Sequence, residues 1–117
     1  MHQDRFENNI IVRKSFEFAV DIINYCEELI LNKKYIVYKQ LGKSGTSIGA
    51  NVFEAQNAES RNDFIHKMKI AAKEGEETQY WLKLCSQIQG YPNAQLLLHK
   101  LDDINKILAK IISSSKR

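Results

Sequence analysis

KQLGKSGTSIGANVFEA, residues 39–55, decides the fold of this chain. Its centre holds Gly42-Lys43-Ser44, the tail of a phosphate-binding loop, inside a run of small residues. A phosphate-binding loop reads G-x-x-x-x-G-K-[ST] and sits between a strand and a helix. Here the first glycine would fall at Val37, so the pattern is broken. Leu41, Gly45, Ile48, Val52 and Ala55 instead step by 4, 3, 4 and 3, the spacing of one helix face. Gly42, Gly45 and Gly49 fall on one stripe of that helix. Each interior glycine costs about 1 kcal/mol relative to alanine. Three of them therefore point to a close approach by a neighbouring helix, inside a bundle or between subunits. Ala71 and Gly75 in the next segment offer a gap that could face this stripe.

The flanking sequence continues the helical pattern. Val12, Phe16, Ala19, Ile23, Cys26 and Ile30 step by 4, 3, 4, 3 and 4, a heptad seam widened by Val20, Ile22 and Leu29. This predicts a first helix over about residues 9–32, capped by Asn8 or Asn9, and a second over about 36–57. Ser60 with Asp63 three residues on forms an approximate capping box for a third helix. That helix runs through Phe64, Met68, Ala71, Gly75, Thr78, Leu82 and Cys85 and stops near Gly90, before Pro92. A fourth begins near Asn93 and uses Leu97, Leu101, Ile104, Leu108 and Ile111. The expected architecture is all-α: one domain over residues 1–117, an antiparallel up-down-up-down four-helix bundle with loose ends at about 1–8 and 113–117.

Composition narrows the class. The chain has 117 residues, one proline and five glycines, which fits one domain of long helices. Cys26 and Cys85 are too few for a disulfide framework. The polar N-terminus is unlike a signal peptide, and no apolar run approaches the roughly 18 residues of a membrane span, so a cytoplasmic protein is expected. Net charge is +3, with the excess in residues 92–117, where five bases face two acids.

One resemblance is specific. QLGKSGTSIGANVFEAQ followed by SRNDFIHKMKIAAKEGEETQYWLKL resembles the four-helix-bundle proteins encoded in intervening sequences of bacterial 23S ribosomal RNA genes. It is strongest across S-G-T-S-I-G-A-N (residues 44–51), Glu54-Ala55, Phe64-Ile65, Lys67, and E-T-x-Y-W-L (residues 77–82). Gly42 departs from the family, which usually has a larger residue there. The family is also similar to the accessory protein of diversity-generating retroelements, a nucleic-acid-binding partner of a reverse transcriptase. The resemblance implies a ring-like homopentamer with no established catalytic residues.

Catalytic and cofactor chemistry has little support. Glu74, Glu76 and Glu77 cluster on the third helix, but neither His66 nor His99 has a glutamate three residues before it, the pairing a bundle metal site uses. Cys26 and Cys85 occupy core positions and read as small hydrophobes. No enzyme, metal or cofactor is expected. The functional signal lies in basic residues: Lys33, Lys34, Lys39 and Lys43 about the turn into the second helix, Lys67, Lys69 and Lys73 on the third, and Lys100, Lys106, Lys110, Lys116 and Arg117 on the fourth and the tail. Lys39, Lys43, Lys67, Lys69, Lys73, Lys106 and Lys110 are the candidate contacts to RNA or DNA, since phosphate neutralisation grows with the number of such contacts. Gly45, Gly49, Tyr80 and Trp81 are the candidate packing or subunit contacts. The expected function is a non-enzymatic, oligomeric nucleic-acid-binding or accessory protein. The alternative is a scaffold for a polypeptide partner, suggested by the small-residue stripe and by Tyr35, Tyr38 and Tyr91.

Overall fold

The computed structural model describes residues 9–116. Four helices follow one another: α1 (Ile10–Leu31), α2 (Tyr38–Ala55), α3 (Arg61–Gln87) and α4 (Gln95–Ser115). Among the described residues there is no strand. Each helix packs on its neighbours around a square, α1 on α2, α2 on α3, α3 on α4 and α4 back on α1. Short connections make successive helices antiparallel. The α1–α4 seam is the thinnest of the four. No helix of the described residues is long and apolar enough to cross a membrane. The expected loose ends at 1–8 and at Arg117 lie outside the described residues. The serine-rich stretch from Ser113 differs from the sequence expectation: α4 stays helical to Ser115, whose Oγ donates to the Ile111 carbonyl at 2.7 Å. Ile111 and Ile112 pack on the core and hold that last turn.

Local chemistry sets the boundaries. Asn9 caps α1 by accepting from the Val12 N–H, and its Nδ2 donates to Gln56 Oε1 at 3.1 Å, tying the start of α1 to the end of α2. Ser60 caps α3 by accepting from the Asp63 N–H at 3.0 Å. Asp63 returns the contact one residue early, accepting from the Glu59 N–H at 3.2 Å. The third helix ends at Gln87, and Gly90 takes φ +90° in the loop that follows. Asn93 Oδ1 accepts from the Gln95 N–H at 2.8 Å to open α4.

The phase of α1 corrects the heptad reading. Ile11, Ser15, Phe18, Ile22, Tyr25 and Leu29 point inward, joined by Val12 and Cys26. Phe16, Val20, Ile23 and Ile30 lie on the outer side, between 40% and 52% exposed. Two apolar stripes run along this helix, and the seam drawn from spacing mixed members of both. The reason lies on α2. A Cβ at Gly45 would stand 2.8 Å from Ile22 Cγ1 and Cγ2, and one at Gly49 would stand 3.0 Å from the Ser15 carbonyl oxygen. The glycine stripe therefore receives α1, not the Gly75 gap of α3. Gly75 faces α4, where an added Cβ would collide with Asn105 Oδ1. Asn105 Oδ1 is buried with no hydrogen-bond partner. Between α2 and α3 the close contact is polar: Thr78 Oγ1 and Ser44 Oγ are hydrogen-bonded at 2.9 Å inside the core.

These geometries give opposite expectations for two glycines. Gly45→Ala sets a methyl against Ile22, which is fully buried and cannot swing away, so stability should fall by about 1–3 kcal/mol. Gly42→Ala meets only Cys26 Sγ at 3.6 Å, ordinary contact, and should stabilise by up to about 1 kcal/mol through helix propensity. Urea unfolding followed by circular dichroism separates the two. Shifts of the same sign would contradict the close α1–α2 approach.

Candidate nucleic-acid interface

The structure spreads the seven candidate lysines over three helices rather than into one patch. Lys39 and Lys43, four residues apart on the first turns of α2, lie at the end of the bundle where α1 finishes. Lys67 and Lys69 lie near the start of α3, at the opposite end, and Lys73 follows one turn on. Lys106 and Lys110 lie in the second half of α4. Two of the seven are engaged. Lys67 Nζ binds Glu54 Oε1 at 3.0 Å, which raises the lysine pKa, and Lys106 Nζ binds Asp102 Oδ2 at 3.0 Å with the same effect. Lys39, Lys43, Lys69, Lys73 and Lys110 form no ion pair among the described residues.

One basic surface lies at the end of the bundle where α1 finishes. From residue 31 to 43 the chain carries Lys33, Lys34, Lys39 and Lys43 and no carboxylate. The segment is therefore locally +4, as is a second carboxylate-free run at residues 104–117, which holds Lys106, Lys110, Lys116 and Arg117. The fold brings the α3–α4 connection beside it. Lys34 Nζ lies 5.7 Å from the Tyr91 ring centroid, and Lys39 Nζ lies 6.0 Å from that of Tyr38. Tyr35 and Tyr38 meet edge to face at 6.5 Å. Tyr25 OH donates to the Pro92 carbonyl at 2.8 Å and fixes the α3–α4 loop from below. Val37 and Ala94 are buried beneath the same end. The sequence groups Lys33, Lys34, Lys39 and Lys43 about the turn into α2, but does not show the meeting with Tyr91.

The candidate subunit contacts divide similarly. Gly45 faces α1 within the bundle. Gly49 also faces α1 and lines an outer hollow of about 270 Å³ with Phe16, Ala19, Ala50 and Phe53. Trp81 packs against the core and donates from Nε1 to Glu77 Oε2 at 3.1 Å. Tyr80 turns outward, edge to face with Trp81 at 5.1 Å between centroids.

Among the described residues no three His, Cys, Asp or Glu side chains come together as metal ligands. Burial pushes the Cys26 thiol up to about 11, with Cys85 adding to the effect, and burial raises Cys85 as well. Both thiols are therefore protonated at neutral pH and poor nucleophiles.

The family profile of the 23S rRNA-intervening sequence proteins matches residues 7–112. The fold is similar to the crystal structure of a protein of unknown function from the S23 ribosomal protein family of Bacteroides thetaiotaomicron VPI-5482. That chain is 43% identical, with a TM-score of 0.83, and the match covers 87% of this chain and 97% of the other. No curated protein matches.

The thiols supply a direct check. Alkylation by iodoacetamide should be negligible in the folded protein at pH 8 and complete in denaturant. The sign for stability follows from the raised Cys26 value: its contribution is full below about pH 9, where both states hold the proton, and is lost as pH rises through about 11. Rapid alkylation of the native protein at pH 8 would contradict the buried, protonated state.

Proposed function

This chain belongs to the 23S rRNA-intervening sequence protein family, and from that premise we propose that it is a non-enzymatic, self-associating protein that binds nucleic acid. The observation that carries the assembly reading is the outer apolar stripe of α1. Val20, Ile23 and Ile30 follow one line down the helix, with Phe16 on the same line, and Phe53 of α2 stands beside it, 56% exposed. An isolated exposed apolar residue is ordinary, but a line of four, interrupted by Glu27 and flanked by a hollow, is the form of an interface. A second copy of this chain covers it, and the family resemblance implies five copies in a ring. Repetition by symmetry then multiplies a modest protomer charge into an extended basic surface, and binding strength grows with the number of phosphates neutralised. Cytoplasmic location belongs to the same reading. A polypeptide partner other than this chain is the second reading, favoured by Leu31 and Ile36, which are 83% and 82% exposed.

Light scattering after size exclusion tests the assembly. Five copies of 13.6 kDa should elute at about 68 kDa, and Ile23→Glu should shift the mass to the 13.6 kDa protomer while leaving helix content unchanged. A wild-type protomer that stays at 13.6 kDa at all concentrations would rule out self-association.

Fluorescence anisotropy with a structured RNA and with duplex DNA, across a salt series, tests the ligand. The expected result is a Kd of about 1–100 μM near physiological salt, weakening steeply as salt rises. Absence of binding even at low salt would remove nucleic acid from the proposal and leave the polypeptide partner.

A further inference from the structure

We infer that the bundle end built from residues 31–43 and the α3–α4 loop is a docking surface for single-stranded nucleic acid, with Tyr35 as the stacking ring and Lys33, Lys34 and Lys39 as the phosphate contacts. This rests on the nucleic-acid reading above and locates its site.

Three independent features converge there. The first is charge. Four lysines occur with no carboxylate between residues 31 and 43, and the facing residues 88–95 contain none either. The nearest acids along the chain are Glu27 and Glu28, a turn earlier on α1. None of Lys33, Lys34, Lys39 or Lys43 forms an ion pair among the described residues.

The second is how the charge is held. Lys34 and Lys39 lie over the faces of Tyr91 and Tyr38. A carboxylate would orient a lysine and cancel it, whereas a ring orients it and leaves the charge available. Tyr38 and Tyr91 are half-buried and serve as supports, while Tyr35 is 58% exposed and presents a ring to solvent. Exposed aromatic rings set among lysines form the recurring surface for unpaired bases, because every base has a face to stack and every nucleotide brings a phosphate. Duplexes hide those faces, so the surface favours single strands.

The third is backbone conformation. The end of α1 closes in a Schellman turn: the Lys34 N–H donates to the Leu29 carbonyl at 2.8 Å and the Lys33 N–H to that of Ile30 at 2.9 Å. The residue at the left-handed position is Lys33, with φ +59°. Glycine is the usual occupant of that position and asparagine the next, because a side chain there is strained. Helix termination and solubility would both be served by glycine at Lys33 and a lysine elsewhere. A strained lysine at the centre of a carboxylate-free surface is instead accounted for by a contact that needs its charge.

The test compares full-length wild type with Lys33→Gly, Lys34→Gln, Tyr35→Ala and Tyr35→Phe. The probes are a twelve-nucleotide oligo(U), the matching oligo(dT) and a duplex of equal length, each over a salt series. The expected result is tighter binding of the single strands than of the duplex. Lys33→Gly should raise the thermal midpoint yet weaken binding about fivefold, with the salt slope shallower by about 0.7. Lys34→Gln should do the same to the slope. Tyr35→Ala should weaken binding about tenfold with an unchanged slope, and Tyr35→Phe should restore it. Oligo(U) against oligo(dT) shows whether the ribose hydroxyl contributes. Wild-type binding that these variants leave intact, or that Lys69→Gln with Lys73→Gln abolishes instead, would overturn this site and leave nucleic-acid binding standing. No binding of any probe would overturn both, and would make exposed Leu31 and Ile36 a contact for a polypeptide.

Discussion

The close approach of α1 to α2 governs the rest of the structure. Gly45 leaves room for Ile22, and Gly49 leaves room for the Ser15 backbone. Helices separated by larger side chains can rotate against each other with modest repacking, but a helix seated in a glycine groove has one phase. With Ile22 in that groove, Phe18, Tyr25 and Leu29 must also face inward. The remaining apolar line of α1 is then held on the outside, beside Phe53. The stripe that looked like a nucleotide loop thus acts indirectly: by turning α1, it creates the surface through which assembly is proposed to occur.

The fully buried polar residues, Ser15, Ser44 and Thr78, are small and locally satisfied, whereas Asn105 Oδ1 beside Gly75 is buried without a partner. Ser15 Oγ donates to the Ile11 carbonyl at 2.7 Å, so its burial leaves no open hydroxyl at the tight contact. Ser44 and Thr78 satisfy one another across α2 and α3. Burying a polar group without a partner costs about 1–3 kcal/mol, so these choices matter where helix axes are closest. The thin α1–α4 seam is joined at its surface by Lys100 and Asp21, 2.8 Å apart. An exposed pair of that kind contributes about 0–1 kcal/mol.

Charge placement follows a different logic from packing. The lysines paired with carboxylates, Lys67, Lys100 and Lys106, lie along the sides of the bundle. Those near one end of it are held by rings or left in solvent. That end carries four lysines with no carboxylate between residues 31 and 43, so its charge is not cancelled locally. The tyrosine that anchors the α3–α4 loop, Tyr25, projects from the inner face of α1, so the conformation of the tip is coupled to the same helix phase that the glycines set.

The sequence by itself determined four helices, their approximate limits, the capping role of Ser60, a cap at Asn8 or Asn9 that the structure assigns to Asn9, and the family, because caps and helical periodicity are local and depend on neighbours three or four residues away. It could not determine which of two apolar stripes on α1 faces inward. The seam through Val12, Phe16, Ala19, Ile23, Cys26 and Ile30 keeps the helical step while mixing members of both, and Glu27 on the line of Phe16, Val20, Ile23 and Ile30 is a local hint of which one meets solvent. Nor could it say that the glycine stripe meets α1 while Gly75 meets Asn105, since each glycine run records a close approach without naming the partner. The meeting of Lys34 with Tyr91, 57 positions apart, is of the same kind. These were decided only by the tertiary structure, because burial is a property of a face against its neighbour and exists only once both helices are in place.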